Sequence, residues 1–345
     1  MLTRILKEAD IKRLKRLLDE SRKIVVTTHM SPDGDAVGSS LAMAAVMTTL
    51  GKDVKVILPD RPLANLMFLP GAKEMIDAKQ YPDFAAGLIA DADLIFSLDY
   101  NELKRVGALA EPIAASKAAK VLIDHHLNPG DFADPVFSHP DQSSTCALLF
   151  RVFCRLELFN LIDRYAAECL LAGMMTDTGN FSYNANDPDA YIIVAELIRK
   201  GVDKNMLYER LFNSHSENCL RLNAYAMSSK MEVFKDGGAA LICLDRSELN
   251  RFHYTKGDTE GLVNRPLEIP GIVYSAFMRE EDNYVKISMR SKGDFPVNEL
   301  CHDHFGGGGH LNAAGGEFDG TLEEAAALFR SLIPENKKKY NVKHK

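Results

Sequence analysis

The chain has 345 residues, 46% of them hydrophobic, and its 48 acidic against 41 basic side chains give a formal net charge of −7. That length supports two domains, each able to bury a core, and no apolar run is long enough to span a bilayer, so a soluble, cytoplasmic protein that engages no membrane is expected. The acidic balance argues against broad capture of long or duplex nucleic acid, while leaving room for a short anionic substrate held by metals and a few cations.

The charged, amphipathic N-terminus (Leu2, Ile5, Leu6, Ile11, Leu14, Leu17, Leu18) predicts a surface helix over residues 1–20 and not a signal peptide. Six scattered cysteines without a CxxC pair read as reduced core residues. Ile24 to Thr28 is a buried strand that breaks at a Pro/Gly turn, and a helix is expected from about Ala36 to Leu50. His29, Asp33 and Asp35 fall inside that turn, at the carboxyl end of the strand, where open α/β sheets place their active sites. One imidazole and two carboxylates make a hard, oxygen-rich site suited to manganese or magnesium. The same aspartates could instead serve the turn and cap the helix.

Further strands are expected at Val54–Leu58, Leu94–Leu98 and Lys120–Ile123, with helical stretches near 64–68, 103–110 and 113–119. This alternation argues for a doubly wound, mainly parallel sheet. The third strand ends on Asp99 and the fourth runs into Asp124-His125-His126, so three strand ends carry metal-ligand residues, more than capping explains. Helices follow at 143–155 and 165–175. Asp177 closes the second, where a carboxylate gains nothing from the helix dipole, so a ligand role becomes the better explanation. Four aspartates with two or three histidines suffice for two divalent cations sharing a carboxylate, the arrangement that hydrolyses phosphoryl bonds with a metal-bound hydroxide.

A helical linker over 191–229 leads to a smaller α/β lobe over 230–336, with strands at 231–234, 239–244, 273–279 and 284–290, a helical middle including 259–267 and a helix near 297–304. Gly306–Gly309 lets backbone N–H groups approach an anion, and a short helical stretch is expected after it. With His310, Asn312 and the strand-end Arg279 and Arg290, the glycines suggest a phosphate or nucleotide cradle. Residues 337–345 form a basic tail. The first lobe is taken as residues 1–190.

The sets His29-x-x-x-Asp33-Gly34-Asp35-x-x-Gly38-Ser39, Asp99 with Arg105 and Gly107, Asp124-His125-His126, and Thr176-Asp177-Thr178-Gly179 resemble the four motifs of the DHH phosphoesterases. Gly306–His310 with Ala313-Ala314-Gly315 resembles the associated DHHA1 domain. The resemblance spans roughly residues 20 to 330, and the compact length is most similar to the stand-alone nanoRNase/pAp-phosphatase branch. It implies that His29, Asp33 and Asp99 hold one manganese, and that Asp35, Asp99, His125 and Asp177 hold a second. His126 would face the scissile phosphate and Asp124 would orient its neighbours. Arg290, Ser291, Gly307, Gly308, Gly309, His310 and Asn312 would grip the substrate, whereas Arg105 and the Ser143-Ser144-Thr145 run would hold loops. Closure of one lobe on the other would limit substrate length, and a homodimer is compatible with the family.

The implied activity is manganese-dependent, two-metal hydrolysis of very short oligoribonucleotides and of the 3′-phosphate of 3′-phosphoadenosine 5′-phosphate. Related chemistries are a linear dinucleotide phosphodiesterase, a RecJ-like single-strand exonuclease and a family II pyrophosphatase. A metal-dependent nucleotide-binding regulator is the non-enzymatic alternative.

Overall fold

The computed structural model describes residues 4–340, so the first residues of the N-terminal segment and positions 341–345 of the basic tail lie outside it. By its internal contacts the chain divides into two compact units, the first ending at Ser214 and the second starting at His215. No helix among the described residues is long and apolar enough to cross a membrane.

The first unit runs α1 (Glu8–Glu20), β1 (Lys23–Thr27), α2 (Gly34–Thr49), β2 (Asp53–Leu58), β3 (Ile76–Asp77), α3 (Pro82–Ala90), β4 (Leu94–Leu98), α4 (Ala110–Ala115), β5 (Ala119–Asp124), β6 (Val136–Ser138), α5 (Thr145–Arg155), α6 (Arg164–Asp177), α7 (Pro188–Arg199) and α8 (Lys204–Phe212). Its six strands are all parallel, in the order β3-β2-β1-β4-β5-β6. Apolar residues on both sides of each strand explain this arrangement, because a parallel sheet is covered on both faces. Ile24, Val26, Leu94, Phe96 and Leu98 enter the core beneath α2, α5 and α6. Val25 and Ile95 point the other way, into a second core with Ile89 and Ile113. Strand order reverses direction between β1 and β4, and the crevice at such a switch point is the usual ligand position of a doubly wound sheet.

Two details fix that switch point. The buried Tyr100 hydroxyl donates to Ser97 Oγ at 2.6 Å and lies 2.8 Å from Thr27 Oγ1, tying the ends of β1 and β4 together. Above the sheet, α2 packs tightly on α6 at glycines. A Cβ on Gly38 would meet the Cys169 carbonyl at 2.4 Å, and one on Gly173 would meet Cys146 Sγ at 2.3 Å and Asp35 Oδ1 at 2.9 Å.

The second unit contains α9 (Glu217–Tyr225), β7 (Met231–Phe234), β8 (Ala239–Leu244), α10 (Arg246–Arg251), β9 (Tyr274–Glu280), β10 (Val285–Ser291), α11 (Val297–His304), β11 (Gly308–His310), β12 (Ala313–Phe318) and α12 (Leu322–Lys339). Its six strands form a mixed sheet in the order β11-β12-β10-β9-β8-β7, with only β8 and β9 parallel. The expected alternation in β10 is present: Val285, Ile287 and Met289 are buried and the residues between them are partly exposed.

The architecture agrees with a mainly parallel doubly wound sheet followed by a smaller α/β unit. Two local expectations are corrected. The glycine run is followed by a strand hairpin and not by a helix: Gly308–His310 pairs antiparallel with Ala313–Gly315. At Gly307 a Cβ would lie 1.9 Å from the Gly315 carbonyl, so the glycines serve close backbone pairing. The basic tail begins as the last turn of α12, where Lys337, Lys338 and Lys339 sit at the carboxyl end of the helix dipole. α7 and α8 bury Ile193, Leu197, Leu207 and Leu211 in the first unit's core.

Candidate metal centre

Each prospective ligand is carried by the end of a regular element. His29 follows β1, Asp33 caps α2 and Asp35 lies in its first turn. Asp99 follows β4, His125 and His126 follow β5, and Asp177 is the last residue of α6. Asp99 has a left-handed backbone (φ 64°), which turns its carboxylate back over the sheet end.

The structure gathers these residues into three overlapping groups whose ligand atoms lie within 4.8 Å of one another: His29 with Asp33 and Asp99; Asp35 with His125 and Asp177; and Asp99 with His125 and His126. His29 Nε2 is 3.5 Å from Asp99 Oδ2 and 3.9 Å from Asp33 Oδ1. His125 Nε2 is 3.5 Å from Asp177 Oδ2, 3.6 Å from Asp99 Oδ1 and 4.0 Å from Asp35 Oδ2. These separations are long for hydrogen bonds and suit donors converging on a common centre. The far nitrogens are anchored, His29 Nδ1 2.8 Å from the Met30 carbonyl and His125 Nδ1 3.2 Å from that of Gln142. Orientation of a ligating imidazole through its other nitrogen is the usual support of a metal site. Carboxylates with imidazoles are a donor set for a hard or borderline divalent cation, so the residues fit the implied metal.

The turn and cap reading also holds for Asp33, whose Oδ1 accepts the amides of Asp35 (3.0 Å) and Ala36 (3.1 Å). That capping leaves it beside His29, so one side chain satisfies both descriptions. Asp124, fully buried, accepts from the His126 amide at 3.0 Å and sits 2.6 Å from His126 Nδ1.

Gathering carboxylates and imidazoles this closely, with Asp35 and Asp99 buried, perturbs the protonation of several of them. Burial, then Asp99 and Asp177, push Asp35 well above the usual carboxylate range. Burial likewise lifts Asp177, with Asp33 and Asp99 adding to it and His125 opposing, to about 7. For Asp99 burial acts upward too, but His29, His125 and His126 outweigh it and hold the carboxyl below its ordinary range. Burial alone would lower His29 and His125; the carboxylates around them reverse this and raise each to about 9. The cluster therefore carries protons at neutral pH that a cation would displace.

A contribution absent from the sequence reading comes from the start of α5. The Thr145 and Cys146 amides donate to the two Asp35 oxygens at 2.6 and 2.9 Å, and Thr145 Oγ1 donates to Asp99 Oδ1 at 2.8 Å. The only sequence signal was a Ser-Ser-Thr run at a helix start, where the Ser144 side chain does accept the Ala147 amide.

The remaining predicted site residues lie in the second unit. Arg290, the penultimate residue of β10, lies opposite Ala313 and Ser275, and its Nη1 donates to the Met289 carbonyl at 2.9 Å. Ser291 and Asn312 bond each other: the Asn312 amide donates to Ser291 Oγ at 2.8 Å, and that hydroxyl donates to the Phe295 carbonyl. Gly308, Gly309 and His310 are exposed on β11, with Gly307 just before it. Arg279 is engaged by Glu281 and by the Tyr254 ring.

Residues 23–174 match the N-terminal domain of the DHH family, and residues 241–335 match the DHHA1 domain. The fold and the acidic, histidine-bearing switch point are those of a metal-dependent phosphoesterase. The chain belongs to the DHH family. It is 30% identical over 307 residues to the bifunctional oligoribonuclease and PAP phosphatase NrnA of Thermus thermophilus, covering 88% of this chain and 86% of that one. The crystal structure of an exopolyphosphatase-related protein from Bacteroides fragilis is similar at 45% identity and a TM-score of 0.95, covering 97% of this chain and 98% of that one. A cyclic-di-AMP phosphodiesterase, GdpP of Geobacillus thermodenitrificans, is 26% identical over 332 residues, which are 93% of this chain and 48% of that protein.

Proposed function

We propose that this phosphoesterase hydrolyses very short oligoribonucleotides to mononucleotides and removes the 3′-phosphate of 3′-phosphoadenosine 5′-phosphate, using two divalent cations, manganese by preference. The observation that carries this reading is the convergence of His29, Asp33, Asp35, Asp99, His125 and Asp177 at the switch point. Support for the substrate class comes from the similarity, over nearly the whole chain, to proteins named as oligoribonuclease and PAP phosphatase.

When bound, the divalent cations supply Lewis-acid charge at phosphorus and lower the pKa of water. The protein's own part is positional. Asp99, belonging to two of the ligand groups, keeps them at a fixed spacing. His126, steadied by Asp124, offers its second ring nitrogen to a phosphoryl or leaving-group oxygen as charge grows there. In this reading Arg290, Ser291, His310, Asn312 and the Gly307–Gly309 backbone bind the nucleotide and its terminal phosphate. Arg290 is the strongest of these, because its guanidinium is half-buried and has no carboxylate in hydrogen-bond range among the described residues.

A second reading, hydrolysis of a linear dinucleotide, is favoured by the similarity to the cyclic-di-AMP phosphodiesterase. One turnover panel with manganese separates the two. It contains a 5′-labelled RNA ladder from dinucleotide upward, linear diadenylate, 3′-phosphoadenosine 5′-phosphate, pyrophosphate and long single-stranded DNA. Fast loss of several short RNAs with slower release of phosphate from the bisphosphate is the expected result. Activity confined to linear diadenylate supports the second reading, and preferential degradation of long DNA contradicts both.

A further inference from the structure

Thr145 is the first residue of α5 and is fully buried. It is joined to two of the carboxylates on which the metal centre depends. Its amide donates to Asp35 Oδ2 at 2.6 Å and its hydroxyl to Asp99 Oδ1 at 2.8 Å. Asp35 and Asp99 are 1% and 2% exposed, so water cannot supply these donors instead. The two aspartates reach the site from different elements, α2 and the end of β4, and belong to different ligand groups. Asp99 also holds a left-handed backbone, which a side-chain hydrogen bond helps maintain.

We propose that Thr145 is a positioning residue that fixes the spacing of Asp35 and Asp99, and through it the separation of the two cation positions. The inference rests on the metal-centre reading above. Its chemistry is one-sided in a useful way. The backbone N–H to Asp35 survives any substitution except proline, whereas the hydroxyl to Asp99 is lost in Thr145→Val at nearly constant shape. Removing it leaves Asp99 Oδ1 short of a buried, charge-assisted hydrogen bond, so the carboxylate rotates and the shared ligand loses its alignment.

The test is manganese titration of the folded, full-length protein by calorimetry, with electron paramagnetic resonance of the doubly loaded protein to read exchange coupling between the two ions. Wild type should bind two ions and show the multiline spectrum of a coupled pair. T145V should bind at least one ion about 10–100-fold more weakly and lose that spectrum, because outer groups that orient ligands contribute that much to affinity. T145S, which keeps the hydroxyl, should restore both. If T145V does not fold, T145A against T145S makes the same comparison without the branched methyl. An unchanged isotherm and spectrum in T145V, or T145S as impaired as the hydroxyl-free variants, overturns the proposal and reduces Thr145 to a packing residue. Wild type that binds no manganese instead overturns the metal-centre reading itself.

Discussion

Asp124 and His126 are two residues apart in sequence and share one tight bond: His126 Nδ1 lies 2.6 Å from Asp124 Oδ1, while the other Asp124 oxygen takes the His126 amide at 3.0 Å. Both carboxylate oxygens of a fully buried aspartate are thus spent on one residue, Oδ1 on the His126 ring and Oδ2 on its backbone amide. The pair predicts that Asp124→Asn lowers turnover of the dinucleotide by roughly 10–100-fold, because an amide cannot accept from both groups and the ring loses its fixed tautomer. Manganese affinity should change far less than turnover. A parallel loss of both would show that Asp124 acts on the ligands and not through His126.

Asp99 occupies a different position, within reach of His29 Nε2 and His125 Nε2 at 3.5 and 3.6 Å. Asp99→Asn keeps the size and removes the charge common to two ligand groups. Loss of a ligand should exceed the loss of an orienting group, so a fall in manganese affinity and in turnover of more than about 100-fold is expected. Calorimetry against the wild type checks the first, and release of mononucleotide checks the second.

Acidity gives a prediction with a defined sign. In the metal-free protein His29 and His125 titrate near about 9, above the ordinary 6.5, and Asp177 near about 7, above the ordinary 3.8. A raised folded-state pKa means that the native protein binds the proton more tightly than the unfolded chain. The histidines' contribution is therefore complete below 6.5 and is lost as pH rises towards 9; the Asp177 contribution is lost between 3.8 and 7. Thermal midpoints in chelator should fall as pH rises across this window. Bound cation displaces those protons, so the gap in midpoint between magnesium and chelator should widen from about pH 6 to about pH 8.5. A gap that is flat or narrows with pH would contradict the assignment of these side chains to the cation.

Gly173 links the fold to the site. The space for its missing Cβ is filled by Cys146 Sγ at 2.3 Å and Asp35 Oδ1 at 2.9 Å. Gly173→Ala should destabilise the first unit by about 1–3 kcal/mol through overpacking between α2 and α6, and should weaken cation binding by pushing Asp35 aside. Urea unfolding and manganese calorimetry measure the two effects. Gly51→Ala, where nothing lies within 4 Å but φ is +86°, is the comparison that adds backbone strain without touching the site.

Much of this arrangement is legible in the order of residues. Apolar runs end on His29, Asp99 and Asp124-His125-His126, and in a doubly wound sheet strand ends meet at one edge, which is how His29 and Asp99, 70 positions apart, come within 4 Å. Side chains with metal-binding chemistry announce themselves in this way. Backbone donors do not: the amides of Thr145 and Cys146 have no sequence signature, and the Thr145 hydroxyl looks like any residue at a helix start. The glycine run illustrates the opposite difficulty, since four glycines suit an anion loop and a tight strand pair equally, and only the pairing of Gly308–His310 with Ala313–Gly315, so close that a Cβ on Gly307 would lie 1.9 Å from the Gly315 carbonyl, selects the hairpin. Short edge strands such as Ile76–Asp77 and Val136–Ser138 carry too few residues for any periodicity to register.

The most direct measurement is the initial rate of mononucleotide release from a labelled RNA dinucleotide against added manganese, run for wild type and Asp99→Asn in parallel. Saturable, manganese-dependent turnover by wild type, abolished by chelator and by D99N, is the predicted result. Turnover that persists in chelator, or that D99N retains at the wild-type rate, would contradict the placement of phosphoester hydrolysis at this cluster.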